Sequence, residues 1–183
     1  MDMSNEWMTH KEKSELEKTM EKLNDIRSFL NAVKTENRDG IDVYETFNVY
    51  KRFKEKVSNY NSDMAYISCL MAKEWLINKF GGKIDVSKKI DVSEKPQAAN
   101  GFDIDVNMDA GRIIAEIKNT VPCKKDGGFG AQQMKSINDD LKKLEGEKTA
   151  EYKFFFVTDP RCYEILNGEN YKIEEIELVL LSR

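Results

Sequence analysis

Two short segments constrain this chain more than any other part of it: Phe102-Asp-Ile-Asp-Val106 and Arg112-Ile-Ile-Ala-Glu-Ile-Lys118. Both have the two-residue period of a strand, in which successive side chains point to opposite faces. In the first, Phe102, Ile104 and Val106 are expected on the buried face, with Asp103 and Asp105 opposite. In the second, Ile113, Ala115 and Ile117 share one face, and Ile114, Glu116 and Lys118 share the other. The intervening Asn107-Met-Asp-Ala-Gly111 has the Asn, Asp and Gly content of a turn, so an antiparallel hairpin is expected. Strand residues two apart stand roughly 6.5 Å from each other, close enough for Glu116 and Lys118 to serve one small site. Carboxylates beside an ammonium can bind a divalent cation and a phosphodiester. Alternating charge on a half-buried strand is also ordinary sheet solvation, worth little in stability. Ile114 favours a cleft wall, because it puts a large apolar side chain on the same face as both charges.

Composition narrows the chemistry. The single histidine, His10, leaves no basis for a His-rich zinc site or a Ser/His triad. Three cysteines, Cys69, Cys123 and Cys162, make no disulfide framework and suit a reducing cytoplasm. Cys69 lies in an apolar helical run and reads as inert core. No apolar run approaches the ~20 residues that span a bilayer. The first residues do not read as a secretory leader, so a cytoplasmic protein with no membrane partner is expected. A formal charge of -4 argues against a general DNA coat. It leaves room for a local basic cleft whose electrostatics a bound cation completes.

The length of 183 residues fits one domain with a helical appendage better than two full domains. Leu16, Met20, Leu23, Ile26 and the Phe29-Leu30 pair place an apolar stripe on a charged helix over residues 12–34. Asn37-Arg-Asp-Gly40 turns the chain, and a second helix is expected over 43–57. Met64, Ile67, Met71, Trp75 and Phe80 give a third helix over 63–80, stopped by Gly81-Gly82. A charged connector containing Pro96 follows, with a short strand around 83–86. After the hairpin come a glycine-rich loop, a helix over 131–144 and a buried strand at 151–158. A short helix or loop, a turn at 168–170 and a last strand at 174–181 complete the order. The expected class is α/β, with residues 1–60 as a helical extension and 61–183 as the core. There is no internal repeat.

This order, with Asp103 in Gly101-Phe-Asp-Ile104 and the intact Glu116-Ile-Lys118, resembles the PD-(D/E)xK nuclease superfamily, best known from type II restriction endonucleases. The resemblance covers residues 62–183 and departs from the pattern at Phe102, which stands where the family carries Pro. It implies a mixed sheet flanked by helices, with the motif at one edge of a catalytic cleft. It also implies that Asp103 and Glu116 hold one or two Mg²⁺ ions, while Lys118 either activates the attacking water or stabilises the transition state. Hydrolysis would then leave a 5′-phosphate and a 3′-hydroxyl. Asp105, nearer the turn, is the weaker acid candidate.

The resemblance makes Glu74, in the helix before the sheet, a further candidate carboxylate for catalysis and metal binding; the competing reading is a solvated helix face. It makes Gln133 the candidate near the scissile phosphate, with Gln132 and Lys135 behind it; these could equally cap a helix or face water. Lys124 and Lys125, in Lys124-Lys-Asp-Gly-Gly-Phe-Gly130, suit contact with DNA phosphates, as does Lys135. The loop lacks the lysine-serine/threonine ending of a nucleotide-binding P-loop, and an ordinary surface loop is the competing reading. Phe129 reads as its anchor, and Trp75 and Phe154-Phe-Phe156 as core.

The expected function is a Mg²⁺-dependent DNA endonuclease of restriction type, acting on double-stranded DNA as a homodimer. The alternatives are a repair or recombination nuclease, a catalytically inactive nuclease-fold binding or assembly module, and a helical interaction protein dominated by residues 1–60.

Overall fold

The computed structural model of the chain describes residues 7–35, 43–80, 90–92, 101–109, 111–124, 127–168 and 175–181. Its elements are α1 (His10–Thr35), α2 (Val43–Lys56), α3 (Tyr60–Phe80), β1 (Ile104–Met108) and β2 (Gly111–Lys118). They continue with α4 (Ala131–Gly146), β3 (Tyr152–Val157), α5 (Pro160–Leu166) and β4 (Glu177–Leu180). The class is α/β, built on a mixed sheet of order β1-β2-β3-β4. β1 runs antiparallel to β2, while β2, β3 and β4 run parallel. The parallel pairs require crossovers, and α4 and α5 supply them. The expected strand around 83–86 and the turns at 37–40, 81–82 and 168–170 lie wholly or partly outside the described residues.

The chain divides into two compact units, residues 1–63 and 64–183. In the first, Thr9 and Glu12 cap α1 reciprocally: Glu12 N donates to Thr9 Oγ1 at 3.2 Å, and Thr9 N donates to Glu12 Oε2 at 2.8 Å. Phe29 of α1 and Phe53 of α2 stack at 6.4 Å. Lys22 reaches Ser58 O and the Asp63 carboxylate, tying α1 to the start of α3. The apolar stripe of α1 remains open at Met20, Leu23 and Leu30, and α2 presents exposed Tyr44, Phe47 and Tyr50.

In the second unit the sheet is covered on both faces. Ile113, Ala115, Phe154 and Phe156 lie on one buried face. There Trp75 of α3 meets Phe154 and Phe156 edge-on, each at 5.4 Å, and Phe80 meets Tyr152 at 5.0 Å. Ile114, Phe155 and Val157 form the other face, packed with Ile137, Leu141 and Leu144 of α4, Cys162 and Leu166 of α5, and Phe129. The three α4 residues recur at helical spacing, and fully burying each side chain contributes about 1.5–3 kcal/mol. Phe129 thus anchors its loop in the core, as expected. Phe102 departs from expectation: it packs on the α4 side rather than with Ile104 and Val106, because the strand begins only at Ile104.

Met108 pairs with Gly111 at the end of the hairpin. Gly111 has φ +129°, and a Cβ there would lie 2.8 Å from Glu151 Cβ. Both the backbone angle and the close approach require glycine. At the far end, Asp159 Oδ1 accepts from Arg161 N at 2.9 Å and Cys162 N at 3.1 Å. With Pro160 at the first helical position, this cap makes the segment after β3 a helix.

Candidate functional site

The carboxyl ends of β2, β3 and β4 share one edge of the sheet, and the antiparallel β1 begins there. Ligands of open α/β sheets bind at such an edge, because the strands end there and loops diverge. The hairpin register brings Asp103, Glu116 and Lys118 to it. Asp103 precedes β1, and its Oδ2 accepts a 2.7 Å hydrogen bond from Ile117 N, which fixes the carboxylate against β2. Glu116 is 5% exposed, so its charge is taken almost wholly out of water.

Helix α4 closes the cluster with Ser136, Asp140 and Lys143, spaced so that they share one face. Lys143 Nζ lies 2.5 Å from Glu116 Oε1, contacts Gly101 O, and stands 4.7 Å from the centre of the Phe102 ring. Lys118 Nζ donates to Ser136 Oγ at 3.0 Å and forms an ion pair with Asp140. Three carboxylates therefore face two ammonium groups. Burial pushes the Glu116 carboxyl from 4.5 up to about 7, with Asp103 and Asp140 adding to the rise against the opposing pull of Lys143. Cys69 of α3 adjoins the same edge: burial and the Asp103 charge push its thiol up to about 12. Asn119 extends the polar rim, donating to Ser68 Oγ at 3.0 Å and accepting from Thr158 Oγ1 at 3.1 Å.

Of the remaining sequence candidates, Asp105 and Gln133 do other work. Asp105 is held by Arg112 through two hydrogen bonds, 2.8 and 2.7 Å, away from the cluster on the hairpin. Contacts tie α3 to the site at Ser68 and Cys69, and Glu74 follows on the same helix, half-buried. Gln133 shares the α4 stripe but uses both ends of its amide structurally. Its Oε1 accepts from Gly130 N at 3.0 Å, and its Nε2 donates to Val121 O at 2.8 Å. Lys124 is exposed on its loop, whose backbone closes by Lys124 N to Gly128 O at 3.0 Å. Lys135 is exposed and lies 3.9 Å from Asp139. Lys125 falls outside the described residues.

Sequence reasoning missed Ser136, Asp140 and Lys143. Their signal was present: each stands one residue before Ile137, Leu141 and Leu144, so a polar stripe runs beside the buried one. Read without the fold, that stripe is indistinguishable from a solvated face.

Among the described residues no three His, Cys, Asp or Glu side chains gather closely enough to enclose a metal ion by themselves. Magnesium does not need such a cage, since it binds through one or two carboxylates and keeps waters or substrate phosphate oxygens. The hard oxygen donors Glu116, which is buried, and Asp103, which is partly buried, fit that requirement. Comparison of the chain with protein-family models, with curated proteins and with solved structures finds no match.

Proposed function

We propose that the protein is a Mg²⁺-dependent nuclease that hydrolyses phosphodiester bonds of double-stranded DNA, with Asp103, Glu116 and Lys118 as its catalytic residues. The observation that carries this reading is the convergence of two carboxylates and a lysine at the carboxyl edge of the sheet. There Glu116 is buried and Asp103 is pinned to the β2 backbone. The strand order, an antiparallel hairpin followed by helix and parallel strand, agrees with the PD-(D/E)xK arrangement that the motif resembles. Asp103 and Glu116 would hold the cation, which when bound acidifies a water and offsets charge on the phosphate. Lys118, oriented by Ser136 and Asp140, presents a fixed ammonium where negative charge develops, and fixed charge in a dry site costs no reorganisation. A type II restriction role, with two copies each cutting one strand, is the specific form proposed. The exposed α2 aromatics offer apolar surface for such pairing, which light scattering of the free and DNA-bound protein tests.

A second reading is an inactive nuclease-fold binding or assembly module. One observation favours it: Glu116 and Lys118 are each already ion-paired to α4. The deciding experiment is incubation of the full chain with linear, branched and modified duplex DNA in Mg²⁺ or EDTA. Cleavage in Mg²⁺ alone, abolished by Glu116→Gln and crippled by Lys118→Ala, supports the nuclease. Discrete fragments would favour restriction, and a smear would favour repair or recombination cutting. Binding without cleavage on every substrate supports the module, and equal activity of wild type and E116Q refutes the assigned site.

A further inference from the structure

We propose that Lys143 is the resident cation of the Glu116 carboxylate, and that a divalent cation binds by displacing it. The inference rests on the reading of Asp103 and Glu116 as metal ligands and assigns a role to a helix residue outside the motif. The two partners differ in freedom. The Glu116 side chain is 7% exposed and stays where β2 puts it, whereas that of Lys143 is 34% exposed at the end of a flexible stem. Lys143 also has other places to rest, since Gly101 O and the Phe102 ring already accept its ammonium. Lys118 has no such release: Ser136 and Asp140 hold it from α4. The two lysines thus divide the work. Lys118 is a fixed charge, and Lys143 is a positioning residue that holds a buried carboxylate in place until a metal replaces it.

The arrangement has an energetic reason. A buried carboxylate without a counter-charge is costly, and Asp103 and Asp140 add repulsion to that cost. Lys143 offsets it. The same positive charge opposes an arriving cation, so its removal should strengthen metal binding. A residue that merely braces the fold would weaken it.

The test is Mn²⁺ binding to the full chain by calorimetry at pH 8.5, comparing wild type, Lys143→Gln and Glu116→Gln. Glutamine keeps a donor for Glu116 and Gly101 and removes only the charge. K143Q should bind Mn²⁺ roughly tenfold more tightly than wild type, as expected for removing one unit charge several ångströms from a divalent ion. E116Q should bind more weakly than wild type. A second measurement uses wild type alone: amine-reactive labelling with mass spectrometry should show Lys143 becoming more reactive when Mn²⁺ is added. If wild type binds Mn²⁺ through Glu116 but K143Q binds no more tightly, or Lys143 labelling does not rise, the displacement proposal is overturned and the metal site stands. If neither wild type nor K143Q binds Mn²⁺, or E116Q binds as wild type does, the metal reading itself fails and takes this inference with it.

Discussion

Glu116 and Lys143 meet at 2.5 Å between the third strand position from the carboxyl end of β2 and the last turn of α4, one buried and the other partly open to water. The pair joins strand to helix, and its carboxylate is displaced from ordinary protonation behaviour. Burial raises the Glu116 value from 4.5 to about 7, so the folded protein holds this proton more tightly than the unfolded chain.

The sign of the resulting pH dependence follows. The contribution to stability is full below pH 4.5 and is lost as pH rises through about 7. Its size is at most about 3 kcal/mol. Glu116→Gln carries no titrating proton, so in EDTA its stability relative to wild type should improve as pH rises from 5 to 8. Urea denaturation at the two pH values measures this. A difference between the proteins that does not change with pH would show that Glu116 titrates normally.

Gly111→Ala should destabilise the fold by about 1–2 kcal/mol, because alanine resists the positive φ and its methyl group collides with Glu151. The hairpin that carries Asp103 and Glu116 depends on this turn, so metal affinity should fall along with the denaturation midpoint. Wild-type stability in the variant would mean that the turn relaxes without strain.

Gln133→Ala removes two hydrogen bonds that staple the 121–130 loop to the start of α4, at a cost of about 1 kcal/mol for this partly exposed group. If the role is this staple alone, kcat for DNA cleavage should stay within about threefold of wild type, while the melting temperature falls. A loss of a hundredfold in kcat with an unchanged melting temperature would return Gln133 to the scissile phosphate.

The hairpin, the helices and the buried strand were legible in the sequence because each carries a strong local period. Arg112–Lys118 alternates, Phe154-Phe-Phe156 is a continuous apolar run, and Gly81-Gly82 follows a helix of helical-period apolar residues. Asp103, Glu116 and Lys118 were legible for the same reason, since strand parity and a turn bring them to one edge. The partners on α4 were not, because which face of a helix meets a charge depends on the crossover from Lys118 at the end of β2 to Tyr152 at the start of β3. Gln133 illustrates the converse. Its residue type suited a site, but its amide is occupied as a loop staple.

Thiol chemistry gives an independent check on how closely this edge is built. Cys123 is exposed, whereas Cys69 and Cys162 are buried. Burial pushes the Cys69 thiol up to about 12, with the Asp103 charge adding to it, and pushes Cys162 up to about 11, with Asp159 adding to it. The thiolate is the reactive form, so at pH 8 both buried groups should be inert. The native protein should therefore react with an aromatic disulfide reagent at one cysteine, and the denatured protein at all three. Asp103→Asn removes only the smaller cause, so Cys69 should remain unreactive in that variant. Rapid labelling of Cys69 in D103N would mean that Asp103 holds the hairpin against α3 as well as facing Glu116. Rapid labelling already in wild type would show that α3 does not seal this edge.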